Sequence, residues 1–507
     1  MSPGNKSRLS RESYSFPPLM MAESVELSRV STVVERAPDA AGDITSREGY
    51  IGTSDINTVE SGLINRKDVL EPPARAVTKA VPSPTPSFEQ SPREATTDDQ
   101  TPPRTAKQRR TGLIHFIICC FVLFLQGWND GGPGALLPTM QARYDIGFII
   151  VSMIFVAYAA GYITGGFSNV YLSDKLGFGK TMFLGSIMQS IAYSIQAPAP
   201  VFPVFACAYF FAGFGLSLQN AGASSFVGAL KSSSEAMMGI CMSAYGLGAF
   251  LAPLVATQFA KLPHWSYFFL VSLGLNCTNA ALVLLVFRLR TYNDIMADAG
   301  FAPPEATGHA NETSKYRQLM RLPTVHLTAL FTFIYVGTEV TLGGWIVTFV
   351  IDERGGGSSS GYLSSGFFGG LALGRILLLW VNKWIGEKRV VMLYTLICIA
   401  LQVTVWKVPS LIQNAVAVSI IGLLMGPMYP IMVSQTRKAL PPWLLTGGIG
   451  WIGGIGQSGS AVLPFITGVL SSRFGISSLQ PFVLSMLVVM GGTWFSIAPR
   501  ATLRRLD

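Results

Sequence analysis

Two carboxylates interrupt the apolar stretches of this sequence, Asp130 and, 209 residues later, Glu339. A charge in the hydrocarbon core of a bilayer costs at least ~2.5 kcal/mol, so such residues normally face a protein interior or a water-filled cavity. A carboxylate held there can take up a proton or a cation and thereby favour one conformation. We therefore predict that Asp130 and Glu339 are coupling residues. The alternatives are that Asp130 faces water near the outer headgroups, or that either acid is a structural partner of Arg375 or another polar neighbour.

The surroundings of Asp130 predict an irregular backbone. It lies in Trp128–Pro138, a stretch with three glycines and a proline close to the acid, which follows an apolar run that begins at Leu113. Glycine and proline weaken helical hydrogen bonding. Non-helical backbone at membrane depth survives only where it lines a cavity or is buried by neighbours. The sequence thus predicts a broken first helix that presents Asp130 to a central pathway.

Arg375 lies within another apolar segment, after Gly370–Gly374. An intramembrane guanidinium needs a partner, and its planar fork suits carboxylates or sugar hydroxyls. A substrate contact, a salt bridge and a snorkelling position near a membrane border are all compatible with this placement.

Further polar and aromatic residues could line a site for a sugar-like solute. Aromatic faces stack on the apolar face of a ring, and amides supply paired donors and acceptors. For each aromatic residue alone, a place in the core or in an interfacial belt explains it equally well. The adjacent amides Gln219 and Asn220 are more informative, because two amides in a membrane helix require partners. The predicted substrate-binding residues are Trp128, Asn129, Gln219, Asn220, Thr338, Trp345, Arg375, Tyr429, Trp451 and Gln457.

A bundle of membrane helices must position these residues. Half of the 507 residues are apolar and only 13% are charged, against ~25% in soluble domains. Apolar segments of membrane-spanning length recur after Arg110. The sequence predicts an all-α membrane protein with twelve transmembrane helices. We place them near residues 112–138, 148–172, 181–198, 201–226, 236–260, 265–287, 325–351, 362–381, 390–407, 411–434, 443–470 and 479–498.

The remaining segments are polar. Residues 1–110 are rich in Ser, Thr, Pro and charge, and cannot bury enough apolar surface to offset the entropy of ordering, so we predict a disordered cytoplasmic tail. The predicted domains are this tail at 1–110, six-helix bundles at 111–288 and 324–499, a cytoplasmic linker at 289–323 and a cytoplasmic C-terminal tail at 500–507.

The charge distribution predicts the orientation in the membrane. Residues 1–110 hold 15 basic and 15 acidic residues, and the rest of the chain holds 22 and 13, so the net charge of +9 belongs to the membrane part. Cytoplasmic loops are enriched in Lys and Arg, and no nucleic-acid partner is needed to explain this excess. With the N-terminus inside, sixteen loop-associated basic residues are cytoplasmic and five lie opposite. We predict that both termini are cytoplasmic, in the plasma membrane rather than the vacuole.

Motifs for enzymes and metal sites are weak. The six cysteines form no C-x-x-C pair and lie in apolar runs, which favours buried thiols over disulfides or metal ligands. The sequence contains no nucleotide-binding P-loop motif, so it does not support a primary pump. Gly456–Gly459 fits the G-x-S-G pattern of intramembrane proteases, but no histidine after His326 could serve as the base. We predict no enzyme activity, no metal site and no cofactor.

The two halves of the hydrophobic region form an internal repeat. A shift of 209 residues superposes Asp130 on Glu339. Glycines match at the same offset, although matches between glycines are individually weak in a chain with 52 of them. Two six-helix halves with a site at the midplane between them are typical of secondary transporters. The matching glycine pairs include Gly134 and Gly343, Gly161 and Gly370, Gly165 and Gly374, and Gly213 and Gly422.

The loop Asp174–Lys180, with its D-x-x-G-x-x-K spacing, resembles the loop between helices two and three of the major facilitator superfamily. Its second copy, Asn382–Arg389, lacks the acid. The resemblance implies the fold of that superfamily, with two pseudo-symmetric six-helix halves. It also implies a cytoplasmic gate at Asp174, Lys175, Gly177 and Lys180, because a carboxylate at a helix end can bridge the halves in one state only. Alternatively, these charged residues only mark the cytoplasmic side of the membrane and form no gate.

Within that superfamily, Asn129–Asp130 with Ala135–Pro138 and Tyr335–Glu339 resemble the fucose-permease-like branch, including fungal members of the bypass-of-stop-codon type. The resemblance covers about residues 110–500. Fucose permeases carry a second acid in helix four, where this sequence has Gln219. Glu339 is therefore the better candidate for a second proton-handling acid.

Together these features predict a secondary active transporter that moves a small polar solute by alternating access, with a sugar as the leading candidate and protons as the coupling ion. We expect a monomer in the lipid bilayer. An exporter of drugs or metabolites is one alternative, although Gly248–Pro253 lacks the second glycine of the antiporter motif that it resembles. A nutrient receptor that binds without transporting is the other.

Overall fold

The computed structural model describes residues 104–230, 234–301 and 317–497, and this part of the chain is built from helices. Residues 1–103 of the predicted N-terminal tail (1–110), residues 302–316 of the predicted linker (289–323) and the whole predicted C-terminal tail (500–507) lie outside it. The first half contains α1 (Ala106–Tyr144), α2 (Phe148–Leu176), α3 (Phe178–Gln196), α4 (Phe202–Gly228), α5 (Ser234–Ala260) and α6 (Phe268–Phe287). The short α7 (Tyr292–Asp298) follows. The second half contains α8 (Pro323–Arg354), α9 (Tyr362–Leu377), α10 (Leu379–Ile385), α11 (Glu387–Lys407), α12 (Leu411–Met425), α13 (Met428–Ala439), α14 (Pro442–Phe474) and α15 (Leu479–Ile497).

The described helices have the lengths that a membrane bundle needs. Nine spans are long and apolar enough to cross a bilayer, and the bent pair α9 and α10, with 56° between its parts, makes ten. α12 and α13 together form one of the nine. α3 and α14 have the length but are less apolar, because glycine, serine and glutamine face their neighbours. With them, the described part of the chain contains the twelve predicted segments.

The predicted break in the first helix is wrong. α1 runs without interruption through Pro133 and Pro138 to Tyr144. The glycines serve packing instead: a Cβ on Gly127 or Gly131 would overlap the backbone of α5. Small residues of this kind let helix backbones approach closely in membranes, and neighbouring groups make intrahelical proline tolerable there.

The structure confirms the internal repeat through its helix crossings. α2 packs against α4, and α9 packs against α12. In both pairs, glycines lie against backbone carbonyls, and the two partners in one half are each 209 residues from those in the other. The equivalent crossings are Gly161 at Phe210 with Gly370 at Ser419, Gly165 at Phe214 with Gly374 at Leu423, and Gly213 at Tyr158 with Gly422 at Phe367.

We call the end of the bundle where α1 begins, at Ala106, the tail end, and the end where α1 finishes, at Tyr144, the distal end. The halves meet through α1 with α8, α2 with α14 and α5 with α9. At the distal end the contact is tight: a Cβ on Gly468 of α14 would lie 2.6 Å from the Ser152 hydroxyl of α2. Toward the tail end of α14, Cβ positions at Gly450, Gly453 and Gly454 meet no atom within 4 Å. The described helices are therefore closed together at the distal end.

α7 covers the tail end of the first half. Its residues Ile295 and Met296 are buried among phenylalanines of α1, α4 and α6. Thr291 caps the helix, and the side chain of Asp294 binds back to the Thr291 backbone in a capping box. α1 starts nearby, capped in the same way by Thr105 and Gln108, six residues before the predicted span.

Candidate functional site

Asp130 is half-buried on α1 and is held by two phenol groups of its own half. Tyr158 of α2 donates to its Oδ1 at 2.9 Å, and Tyr245 of α5 donates to its Oδ2 at 3.2 Å. Within the described part of the chain, no lysine, arginine or histidine forms an ion pair with Asp130. The carboxylate therefore depends on neutral donors for its stability.

Glu339 lies midway along α8 in the other half and is buried, with 6% of its surface exposed. The groups that act on its carboxylate are the guanidinium of Arg375 and the hydroxyls of Tyr335 and Tyr245. The Tyr335 hydroxyl and Arg375 Nε are buried without a hydrogen-bond partner in this conformation. An acid and two unused donors thus lie side by side, which is the pattern that a ligand with both donor and acceptor groups would complete.

Tyr245 connects these two groups. Its hydroxyl, bound to Asp130, is also close to Glu339. Its ring lies beneath Arg375, with 5.3 Å from the guanidinium carbon to the ring centroid. Arg375 also donates to the carbonyl of Met242, one turn earlier on α5, at 3.0 Å. One face of α5 therefore contacts charged groups from both halves.

Other polar side chains continue from this centre. Asn220 of α4 is half-buried and donates to the Tyr162 hydroxyl of α2 at 2.6 Å. Tyr429 of α13 lies with its ring centroid 6.1 Å from that of Tyr335. Asn129 accepts a hydrogen bond from Tyr193 at 3.3 Å, on the side of α1 that faces its own half.

Gln219, predicted to bind substrate, lies elsewhere. It is fully buried between α3, α4 and α6, and its contacts belong to the first half. Its Oε1 accepts from Gln189 at 2.9 Å and from Asn279 at 3.2 Å, and its Nε2 donates to the carbonyl of Met182 and to Ser186. Since every polar atom is used, this amide joins three helices and has none left for a solute.

The tryptophans expected at the site have packing contacts. Trp128 stacks on Phe268 and donates to Ser272 at 2.9 Å. Trp345 is fully buried at the distal end, where it donates to the carbonyl of Pro464 at 3.1 Å and contacts Phe148 of α2. Trp345 thus helps to close the two halves together.

The last three predicted binding residues, Thr338, Trp451 and Gln457, lie in three different environments. Thr338 is fully buried and donates to the carbonyl of Ile334 in its own helix at 2.7 Å. Trp451 is 38% exposed near the tail end of α14. Gln457 is half-buried and donates to Ser460 of the same helix at 3.3 Å.

The predicted gate loop lies at the tail end. Gly177 is the single residue between α2 and α3, with a φ of 85° that favours glycine. Asp174, Lys175 and Lys180 are exposed, and none of them forms an ion pair with another described residue. Gly386, with a φ of 93°, is its equivalent between α10 and α11.

Of the tyrosines around the two acids, sequence reasoning named Tyr429 as a binding residue but missed Tyr158, Tyr162, Tyr245 and Tyr335. Tyr158 and Tyr162 are four residues apart on α2, and Tyr335 and Glu339 are four apart on α8, so helical periodicity could have placed each pair on one face. Tyr245 has no such neighbour, and only the fold brings it to the acids.

The described residues contain no group of three His, Cys, Asp or Glu side chains that could hold a metal. The cysteines are free thiols, but Cys207 and Cys277 are exposed on α4 and α6, so the prediction that all six are buried is wrong. Because a thiol behaves as a small apolar group, a cysteine can lie either in the interior of the bundle or on the apolar outer face of a membrane helix.

A family model described as the Major Facilitator Superfamily matches residues 119–464, more than half of the chain. The chain belongs to the major facilitator superfamily. It is a transporter rather than an enzyme, and an integral multi-pass membrane protein, as the sequence predicted.

Proteins similar to this chain cover most of its length. "Bypass of stop codon protein 6" of Saccharomyces cerevisiae is 24% identical over 404 residues, covering 75% of this chain and 81% of the yeast protein. A "Glucose/galactose transporter" of Brucella abortus is 22% identical over 401 residues, covering 73% and 91%. The crystal structure of the Escherichia coli fucose:proton symporter superposes with a TM-score of 0.55 at 18% identity, covering 76% and 99%. The structural likeness shows the shared fold.

Proposed function

We propose that this major facilitator protein moves a small polyhydroxylated solute, such as a sugar, together with protons by alternating access. The observation that supports the proposal most directly is that Asp130 of one half and the Glu339–Arg375 group of the other half both contact Tyr245. A site between two halves that move against each other is where a transporter must bind its cargo.

Asp130 has the surroundings of a proton-binding group. Its partners are the hydroxyls of Tyr158 and Tyr245, which can donate to a carboxylate or accept from a carboxylic acid. Protonation therefore does not leave a cation unpaired. Glu339 lies beside Arg375, so its charge has a compensating partner in the same half. We assign proton coupling to Asp130 and a paired, modulating role to Glu339.

The polar groups around the acids suit a solute with several hydroxyls. Arg375 Nε and the Tyr335 hydroxyl supply donors without partners, Glu339 supplies acceptors, and Asn220 supplies an amide. A hydroxyl can donate and accept at once, which matches this mixture. The Brucella relative is named as a glucose/galactose transporter and the superposed structure as a fucose:proton symporter, which favours sugars among such solutes.

Alternating access would use the two ends of the bundle in turn. The distal end is held closed at Trp345, Gly468 and Ser152. Asp174, Lys175 and Lys180 would bridge the halves when the tail end closes and the distal end opens. We place the tail end in the cytoplasm on the basis of its basic residues. We further propose that the protein is a monomer of the plasma membrane.

Uptake into proteoliposomes tests this function. We expect a member of a panel of glucose, galactose, fucose and xylose to accumulate when an inward proton gradient is imposed. Asp130→Asn is expected to abolish accumulation while solute exchange is partly retained, because exchange needs no net proton movement. Full concentrative uptake by this variant would refute the coupling role. Binding of a sugar without flux would instead identify a receptor.

A further inference from the structure

We propose that the hydroxyl of Tyr245 makes proton binding at Asp130 and the charge of Glu339 depend on each other. This inference deepens the proposed function and rests on it. Tyr245 lies on α5 of the first half, but its phenol group contacts α1, α8 and α9. No other position on α5 has this combination of neighbours among the described contacts.

A single donor shared between two acceptors is the physical basis of the dependence. A phenol has one proton to donate. In this conformation it is donated to Asp130 Oδ2 at 3.2 Å, and the Glu339 carboxylate lies beside the same hydroxyl as a second acceptor. A hydrogen bond to a charged acceptor is stronger than one to a neutral acceptor. The hydroxyl is therefore expected to donate to a charged carboxylate in preference to a protonated one.

Protonation of Asp130 would change that balance. A proton from water forms an O–H bond on the Asp130 carboxylate, and Tyr245 keeps its own proton throughout. The Tyr245 hydroxyl is then free to turn toward Glu339, which remains charged beside Arg375. The charge state of a group in the first half is thus transmitted to the second half by the rotation of one hydroxyl, without a proton passing between the acids.

The groups that face Tyr245 from the surrounding helices allow this exchange. Asp130 and Glu339 are the acceptors. The guanidinium of Arg375 lies over the ring, 5.3 Å from its centroid, and forms a cation–π contact that leaves the hydroxyl free. The other titratable neighbours of the two acids are also phenol groups: Tyr158 and Tyr162 of α2, Tyr193 of α3, Tyr335 of α8 and Tyr429 of α13.

Tyr158 provides a matched control. Its hydroxyl also donates to Asp130, at 2.9 Å, but it lies on α2 and is not among the groups around Glu339. Tyr245→Phe and Tyr158→Phe each remove one phenol donor from Asp130 and retain the ring. Only Tyr245→Phe removes the hydroxyl shared between Asp130 and Glu339, while the direct charge interaction of the two acids is the same in both variants.

Infrared titration of the purified full-length chain measures the dependence without any solute. The C=O stretch of protonated carboxylic acids reports proton binding, and Asp130→Asn and Glu339→Gln assign the two signals. In the wild type and in Y158F, D130N is expected to change the proton affinity of Glu339. In Y245F that change is expected to shrink about tenfold, the usual effect of losing a hydrogen bond to a charged group. Equal values in Y245F and Y158F would overturn the proposal.

Two further measurements separate the possible failures. Proton-driven accumulation of D-galactose is expected to fall more in Y245F than in Y158F. If the wild type does not accumulate galactose, the transport proposal loses support while the infrared result still decides the role of Tyr245. If Y245F does not fold, 3-fluorotyrosine placed at position 245 gives a fluorine resonance that is expected to respond to D130N and to E339Q. A resonance that responds to only one of them contradicts the shared hydroxyl.

Discussion

Gly134 of α1 lies against the backbone of Gly343 of α8, its own counterpart in the repeat, and a Cβ at position 134 would overlap the Gly343 carbonyl. The two glycines are each four residues beyond an acid of the site, Asp130 and Glu339. The crossing of two repeat-related helices thus sets how closely the acids of the two halves can approach.

Gly134→Ala is expected to force α1 and α8 apart and to destabilise the protein by about 1–3 kcal/mol, the usual cost of overpacking. The thermal midpoint in detergent measures this effect. Gly454→Ala is the control, because its Cβ would meet no atom within 4 Å. It is expected to leave the midpoint unchanged or to raise it slightly, since alanine favours helix. Equal loss in both variants would show that α1 and α8 do not touch at this point.

Gln219→Leu and Asn220→Ala are expected to affect different properties, although the residues are adjacent. Removing the Gln219 amide leaves Gln189 and Asn279 without their partner in a buried site, which costs about 1–3 kcal/mol for each unsatisfied group. Q219L is therefore expected to lower the thermal midpoint and N220A to change uptake with little change in the midpoint. If Q219L retained full stability but lost solute affinity, Gln219 would belong to the binding site after all.

Cys120 of α1 and Cys241 of α5 are expected to form a disulfide under mild oxidation, since their sulfur atoms are 3.3 Å apart. Copper–phenanthroline supplies the oxidant, and peptide mapping by mass spectrometry detects the joined peptides. Cys207 and Cys277, on the outer faces of α4 and α6, are expected to stay unlinked and serve as the control. Failure of the 120–241 link would contradict the packing of α1 on α5.

The capping of α7 is expected to weaken in acid. Hydrogen bonds from the Thr291 hydroxyl at 2.7 Å and backbone at 3.2 Å hold the pKa of Asp294 below its usual value of 3.8. A carboxyl group whose pKa is lowered in the folded state stabilises that state above 3.8, and the effect is lost as the pH falls through the lowered pKa.

Hydrogen exchange of the α7 amides measures that loss. In the wild type, protection is expected to fall as the pH approaches and passes below about 4. In Asp294→Asn the acid-dependent part is expected to be absent, because the amide does not titrate. The same pH dependence in both proteins would assign the acid sensitivity to another group.

Much of the architecture follows from the sequence because it depends on repeated local patterns. The apolar segments and the 209-residue shift predicted the helices and the two halves, and the glycine crossings of α2 with α4 and α9 with α12 obey the same shift. The continuity of α1 could not be predicted. Its glycines and Pro133 are helix breakers in isolation, and the tight packing of α5 on that side is what makes them suitable.

The arrangement around the acids was predictable only in part. Asp130, Glu339 and Arg375 stand out because charge is costly in a membrane helix. Tyr245 does not, since tyrosine is common in such helices and its importance comes from the crossing of α5 with α1 and α9. Gln219 shows the opposite case: an amide that looks functional in the sequence is used to join α3, α4 and α6.

α1 is a continuous rod of 39 residues, about 58 Å long at 1.5 Å per residue, whereas the hydrocarbon core of a bilayer is only about 30 Å thick. The helix therefore extends out of the membrane, and its projecting end moves with the first half. A small tilt of that half sweeps the start of the rod, near Thr105, through a much larger arc than any residue at the acids. A fluorophore at Thr105 would report each tilt of the half.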